Sequence, residues 1–199
     1  MKATPVFPKW FFLEENAFTQ EDLDWFEDTA DWNLNEKQRK VSLQNGQQKT
    51  IGMPDKWPKH IQDKLYAYID KVCEFYTPQK PAYRIDTMWL NVMDEGGYNV
   101  PHNHQGSWIS GIIYVRNCKD INTVFLTERN LVTPNKAFQH NVYSPAVKDG
   151  DLVIFESDLW HWVPPVPDNK DRLTLAFNVQ LNKYRQEQTI LVPEIKFDI

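Results

Sequence analysis

Hydrophobic positions follow two different periods along the chain. Up to about residue 80 they recur every three or four residues, and beyond that every two. Leu23, Phe26 and Ala30 follow Thr19-Gln20-Glu21-Asp22, an N-cap residue with an acid three positions later. This is a capping box with Asp in place of Glu, and it predicts a short amphipathic helix over about residues 20–30. Trp57-Pro58 opens the strongest helical pattern, with Pro in the first turn. Ile61, Leu65, Tyr68, Val72 and Phe75 carry the pattern to Thr77-Pro78, where Pro forbids continuation. Residues 33–56 are polar, with Asn45-Gly46 as a turn signal, and read as a loop or a small hairpin.

From Tyr83 to Met93 apolar and polar residues alternate, a strand pattern that Asp94-Glu95-Gly96-Gly97 is expected to end. Ser107 to Val115, Ile121 to Leu126, Leu152 to Phe155 and Leu173 to Leu181 are further strands. No helical pattern separates them, which argues against βαβ crossovers and for an antiparallel sandwich or barrel. The expected class is mainly β with N-terminal helices, in one domain over 1–199. Residues 1–80 would be a helical support on the sheet or a dimer surface, and 81–199 the β core. Residues 128–150 form a long polar connection, where a lid or binding loop can lie. On the last strand Arg172, Thr174, Ala176 and Asn178 alternate with Leu173, Leu175, Phe177 and Val179. The two sets face opposite sides, so one face suits a core. The other meets solvent or lines a site.

Composition narrows the function classes. At 41% hydrophobic residues the chain can bury one sizeable core. Aromatics at 14%, with eight Trp, set it apart from disordered chains. Lys plus Arg is 22 against 27 Asp plus Glu, a net −5 that argues against non-specific nucleic-acid binding. Cys73 and Cys118 lack metal or redox spacing and read as reduced thiols. The apolar stretch Val6 to Leu13 is broken by Pro8 and Lys9, and no run approaches the roughly 18 residues of a membrane span. No membrane partner and a cytoplasmic location are expected.

The histidines carry the chemistry. His60 reads as a surface or capping residue and His140 as part of the polar connection. In His102-Asn103-His104 the i, i+2 spacing puts both imidazoles on one face of an extended segment, where one metal ion can accept both. Two surface histidines would give the same pattern. His161 stands between Trp160 and Trp162 after Gly150-Asp151-Leu152-Val153-Ile154-Phe155, as a core histidine or a distant ligand. A short turn separates it from Arg172-Leu173-Thr174, so an Arg fork can lie near the metal. A buried guanidinium calls for an anion, and no acid stands on that strand face, so a ligand carboxylate is a candidate partner.

Trp89-Leu90-Asn91, Pro101-His102-Asn103-His104, Ser110-Gly111-Ile112-Ile113-Tyr114-Val115, Gly150 to Phe155, His161 and Arg172-Leu173-Thr174 together resemble the 2-oxoglutarate–Fe(II) oxygenase family of marine bacteria and phages, over roughly residues 85–182. The resemblance implies a double-stranded β-helix, or jelly-roll, core holding Fe(II). It implies a 2-oxoglutarate-dependent dioxygenase of hydroxylase type, with O2 as co-substrate and succinate and carbon dioxide as products. His102 and His161 would be metal ligands. Arg172, with Thr174, would hold the distal carboxylate of 2-oxoglutarate, and Asn91 is a candidate for its other end. His104 stands where the wider superfamily has Asp or Glu, as a third ligand or one step removed from the metal. Ligand histidines must be neutral, so activity is expected to fall below pH about 6. Trp108, Trp160, Trp162 and Tyr114 are candidates for the substrate entrance, or for core packing. The substrate, a small molecule or a protein side chain, is not encoded in these motifs, and neither is the oligomeric state. Two alternatives stand beside this reading: a cupin-type metal protein that does not use 2-oxoglutarate, and a non-enzymatic jelly-roll binding module.

Overall fold

The computed structural model describes residues 9–29, 42–77, 80–117, 121–126, 142–167 and 171–182. Nine strands and two α-helices appear in the order β1 (Phe11–Glu14), α1 (Gln20–Thr29), β2 (Leu43–Thr50), α2 (Lys59–Tyr76), β3 (Tyr83–His102), β4 (Ile109–Arg116), β5 (Val124–Leu126), β6 (Val142–Tyr143), β7 (Leu152–Glu156), β8 (Trp160–Val163) and β9 (Arg172–Leu181). All strand pairs are antiparallel. The sheet runs β1-β7-β4-β9-β3-β8-β5-β6, with β2 added along β3.

The chain curls because β3 belongs to two walls. Residues Tyr83 to Met93 pair with β9, whereas Asn99 and His102 pair with β8. Asp94-Glu95-Gly96-Gly97, expected to end the strand, instead bends it. Gly96 sits at φ 71, open to glycine at little steric cost. A Cβ on Gly97 would lie 2.6 Å from the Asn45 carbonyl oxygen. One wall is β1-β7-β4-β9 with the first half of β3, and the other is the second half of β3 with β8, β5 and β6. The expected mainly-β class with a jelly-roll core is what this curled antiparallel sheet forms.

Asn45-Gly46 is not a hairpin tip. Residues 43–50 are a strand along β3, and the register jumps between Gln44 and Gly46, with Asn45 at φ 47. The single residue Asn45 stands opposite Asp94 to Gly97, so the surplus residues lie on β3 and the turn-type dipeptide lets β2 follow the bend of β3.

The helices follow their signals more closely. Thr19 N–H donates to Asp22 Oδ2 (2.8 Å) and Asp22 N–H to Thr19 Oγ1 (3.4 Å), the expected reciprocal cap. Asp22 also meets Lys64 and the exposed His60, whose Nε2 is 3.2 Å away. On α2 the buried stripe is Ile61, Leu65, Ile69, Val72 and Cys73. Tyr68 is half-buried and Phe75 is 51% exposed against Trp10 and Phe12, so Ile69 and Cys73 take the core positions expected for them. Burial pushes the Cys73 thiol up to about 11, an unreactive packing group. Cys118, His140 and residues 127–141 of the long connection lie outside the described residues. Among the described residues no helix is long and apolar enough to cross a membrane.

Both helices share one core with the outer face of the first wall, including Leu90, Ile109, Ile113, Leu173, Leu175, Phe177 and Val179. The alternate residues of β9 therefore point the other way, toward the second wall.

Candidate active site

Between the walls lies a cavity of about 330 Å³. Its depth can be read along β3, where Thr87 is exposed, Trp89 half-buried, Asn91 buried and Met93 only 1% exposed. On β9 the same gradient runs from half-buried Asn178 through Ala176 and Thr174 to Arg172, also 1% exposed. The cavity opens beside Thr87 and closes at Met93 and Arg172. The polar face of β9 is thus an interior surface rather than a solvent face.

His102, His104 and His161 meet in this cavity. His102 and His161 are register partners on β3 and β8, and the turn after β3 folds His104 beside them. That turn is pinned by His104 N–H donating to the Ser157 carbonyl (2.7 Å) and by Gly106 at φ 93. Ring centroids are separated by 4.3 Å (His102–His161), 5.0 Å (His104–His161) and 5.3 Å (His102–His104). Each ring offers a nitrogen within 4.8 Å of the other two.

The hydrogen bonds identify which nitrogen is offered. His102 Nδ1 is 2.8 Å from the Val100 carbonyl and His161 Nδ1 is 2.9 Å from the Leu159 carbonyl. A carbonyl only accepts, so both Nδ1 atoms carry the proton and both Nε2 lone pairs are open. His104 Nδ1 lies 2.6 Å from Asn178 Oδ1 and 3.0 Å from Ser110 Oγ. Asn178 Nδ2 donates to Thr87 Oγ1 (3.0 Å), which assigns its oxygen to the His104 side. Ser110 Oγ also donates to Asn178 Oδ1 (2.8 Å) and meets Ser157 Oγ (2.8 Å). All three imidazoles are therefore oriented by their far side, as metal-binding histidines generally are.

Burial keeps these rings neutral. Desolvation, then the neighbouring His102, pushes His104 down to about 4. Desolvation, then His102 and His104, pushes His161 down to about 3. Desolvation also lowers His102, opposed by its bond to the Val100 carbonyl. The rings of Phe155, edge to face, and Phe125, tilted, lie 4.9 and 5.8 Å from that of His161 and surround it with apolar surface. The expected protonation limit near pH 6 is therefore displaced to lower pH for His104 and His161.

The closed end is built around Arg172. Its Nε donates to Asn117 Oδ1 (3.0 Å) and its Nη2 to Thr123 Oγ1 (3.3 Å). Its guanidinium carbon stands 5.4 Å from the centre of the Tyr114 ring, whose hydroxyl donates to Thr123 Oγ1 (2.9 Å). Thr174 lines the cavity from the same face of β9, and its register partner Asn91 lines it from β3, accepting from Gln48 Nε2 (3.2 Å). All six residues singled out in the sequence thus border one cavity.

Four aromatic candidates for the entrance are placed elsewhere. Tyr114 is fully buried behind Arg172, and Trp108 packs on Tyr76. Trp160 and Trp162 belong to β8 but border the outer side of the pocket wall, alternating with inward His161 and Val163. Trp89 is the tryptophan that lines the cavity. Sequence reasoning did not single out Asn178, Ser110 or Thr123. Asn178 was within reach of the same alternation that marked Arg172, but Thr123 carries no local signal.

Comparisons with known proteins agree with this geometry. Residues 87–178 match the model of a family described as "Putative 2OG-Fe(II) oxygenase". Among solved structures, iron-bound HygX from Streptomyces hygroscopicus is 13% identical with a TM-score of 0.60, covering 87% of this chain and 82% of that one. The 2OG complex of the viral collagen prolyl hydroxylase vCPH from Paramecium Bursaria Chlorella virus-1 is 14% identical with a TM-score of 0.60, covering 87% and 97%. A Pseudomonas putida prolyl-4-hydroxylase is 12% identical with a TM-score of 0.56, covering 86% and 92%. At such identities these likenesses speak for the fold. No curated protein matches the sequence significantly. The family match spans both the His-x-His segment and the strand of Arg172, so over residues 87–178 this chain is similar to a family of 2OG-Fe(II) oxygenases, enzymes that use Fe(II), 2-oxoglutarate and O2.

Proposed function

We propose that this chain is a hydroxylase in which the Nε2 atoms of His102, His104 and His161 hold Fe(II), and Arg172 with Thr174 holds the distal carboxylate of 2-oxoglutarate. The observation that carries this reading is the convergence of three oriented, neutral imidazoles in the same cavity as a buried guanidinium. The donor set fits a first-row divalent ion, since imidazole nitrogen suits iron as well as zinc, copper and nickel. No carboxylate is among the described residues of the cluster, so His104 would occupy the position expected of an acid. The two cofactors together supply an oxidant derived from O2, with 2-oxoglutarate leaving as succinate and carbon dioxide.

The protein's own residues do the positioning. Arg172 offers a planar fork suited to a carboxylate, and Thr174 and Thr123 add hydroxyls beside it. Asn91, level with Thr174, is placed for the other end of the keto acid. Asn178 and Ser110 hold His104 with Nε2 turned inward. His161 and Ile112 are buried in the walls, away from bulk solvent. With the keto acid in the closed end, the mouth at Thr87, Trp89 and Asn103 is left for the substrate, a small molecule or a protein side chain. Prolyl hydroxylases are among the proteins of similar fold, so a proline-containing peptide is the first substrate to offer.

The test is an anaerobic titration with Fe(II) and then 2-oxoglutarate, followed by visible absorption. A metal-to-ligand charge-transfer band that disappears in His161→Ala is expected. Iron uptake without the band would replace this reading with a cupin-type metal site that does not use 2-oxoglutarate.

A further inference from the structure

Asn99 is a buried polar group of the cavity to which the reading above gives no task. It lies on the second half of β3, is 5% exposed, and lines the cavity. Its Nδ2 donates to Ser42 Oγ (3.2 Å), while its Oδ1 is buried without a hydrogen-bond partner among the described residues. A buried unpaired acceptor is destabilising, and native proteins generally satisfy such atoms with a ligand or water.

Register places Asn99 at the Arg172 end. Asn99 pairs with Val163, and His102 with His161. On the other side of β8, Val124 pairs with Trp162 and Phe125 with His161. Thr123 is therefore level with Val163, so Asn99, Val163 and Thr123 form one row across the second wall. Arg172 Nη2 donates into that row at Thr123. The histidines form the next row toward the mouth.

A ligand at that depth meets Asn99 in one of two ways. As placed, Oδ1 would accept from an N–H or O–H. After a half-turn of the carboxamide, the Ser42 hydroxyl donates to Oδ1, since a hydroxyl can donate or accept. The nitrogen then stands where the unpartnered oxygen was, on a residue that lines the cavity, and its N–H groups suit a ligand that only accepts. A dicarboxylate drawn to Arg172 is such a ligand.

We propose that Asn99, anchored by Ser42, donates its carboxamide N–H to the 2-oxoglutarate carboxylate held at Arg172. This rests on the reading that 2-oxoglutarate occupies the closed end. The orphaned acceptor is then an empty-site feature that binding removes, and Asn99 sets the preference for a dianion at that depth.

The experiment is calorimetric titration of 2-oxoglutarate into the zinc-loaded protein, for wild type, Asn99→Asp, Asn99→Ala and Ser42→Ala, with zinc stoichiometry measured in each. Asn99→Ala is expected to weaken 2-oxoglutarate about tenfold or more, the usual effect of losing a hydrogen bond to a charged group. Asn99→Asp, nearly isosteric but acceptor-only, should weaken it further with zinc uptake intact, and Ser42→Ala less than either. If Asn99→Asp binds 2-oxoglutarate within about twofold of wild type, the amide does not serve the carboxylate and the proposal falls. If Asn99→Asp fails to take up zinc, Asn99→Ala decides, and unchanged affinity there overturns the proposal equally. If wild type itself takes up zinc but not 2-oxoglutarate, the functional reading fails first.

Discussion

Acid should unfold the metal-free protein through its three clustered histidines. An unfolded imidazole binds its proton near pH 6.5, whereas in the fold desolvation holds His104 near 4 and His161 near 3. Above pH 6.5 these imidazoles are neutral in both states, so they leave stability independent of pH. As pH falls below 6.5 the unfolded chain takes up protons that the folded chain refuses, so stability is lost progressively until the folded-state values are reached. At pH 5 each group stands about 1.5 units below its unfolded value, worth about 2 kcal/mol at about 1.4 kcal/mol per unit. His104 and His161 together then remove about 4 kcal/mol, a large share of the roughly 5–15 kcal/mol by which domains are stable. His102, shifted in the same direction, adds to the loss. Ordinary carboxylates stay ionised over this window, which isolates the imidazoles. The assay is urea denaturation with a strong chelator at pH 7 and pH 5. With a slope of about 2–3 kcal/mol per molar, the wild-type midpoint should fall by about 1.3–2 M. The double variant His104→Gln, His161→Gln should show a much smaller fall. Equal losses in the two proteins would refute the burial argument.

Other outcomes follow from single contacts. Arg172→Gln should raise the concentration of 2-oxoglutarate needed for binding at least about tenfold while leaving zinc or iron stoichiometry intact; collapse of metal binding would make Arg172 structural. Asn178→Ala removes the acceptor 2.6 Å from His104 Nδ1 and should weaken metal binding about 10–100-fold, the usual effect of losing such an orienting partner, as read by competition with a metal indicator. Gly111→Ala would put a Cβ 2.1 Å from Cζ of the fully buried Phe177 and should cost about 1–3 kcal/mol of stability by urea denaturation.

How far the sequence reveals this molecule depends on the range of each signal. The Thr19–Asp22 cap and the Pro58 helix start are local chemistry and are legible. Period-two alternation separates the core face of β9 from the face bearing Arg172 and Thr174, and it brings His102 and His104 to one side. Signals that depend on a neighbour are misread. Asn45-Gly46 has hairpin composition, but β2 runs on along β3 and the dipeptide only follows the bend at Asp94 to Gly97. Asp94-Glu95-Gly96-Gly97 looks like a terminator, yet the strand finds a new partner in β8 and continues. Phe75 fits the helical period but lies beyond the sheet edge, where Trp10 and Phe12 receive it. Asn99, Ser42 and Thr123 are ordinary polar residues in sequence, and only the curl of the sheet brings them to the Arg172 end.

The proposed ligand set has a consequence for the order in which the cofactors bind. As ligands, three neutral imidazoles would leave the 2+ charge of the ion unopposed by any carboxylate among the described residues of the cluster, in a cavity that also contains the Arg172 guanidinium. A dianion is what balances that charge, so metal and 2-oxoglutarate should strengthen each other. By linkage the effect is reciprocal, and couplings of this kind are commonly about 5–150-fold. Zinc affinity measured by indicator competition should therefore rise in the presence of saturating 2-oxoglutarate. Chelation alone would also produce some coupling, so the charge argument needs its own variant. His104→Asp places a carboxylate where the imidazole stood, supplying one negative charge to the ion directly. It should raise zinc affinity in the absence of 2-oxoglutarate and shrink the gain that 2-oxoglutarate provides. If the gain is as large in His104→Asp as in wild type, the coupling arises from chelation and the missing carboxylate does not govern the binding order.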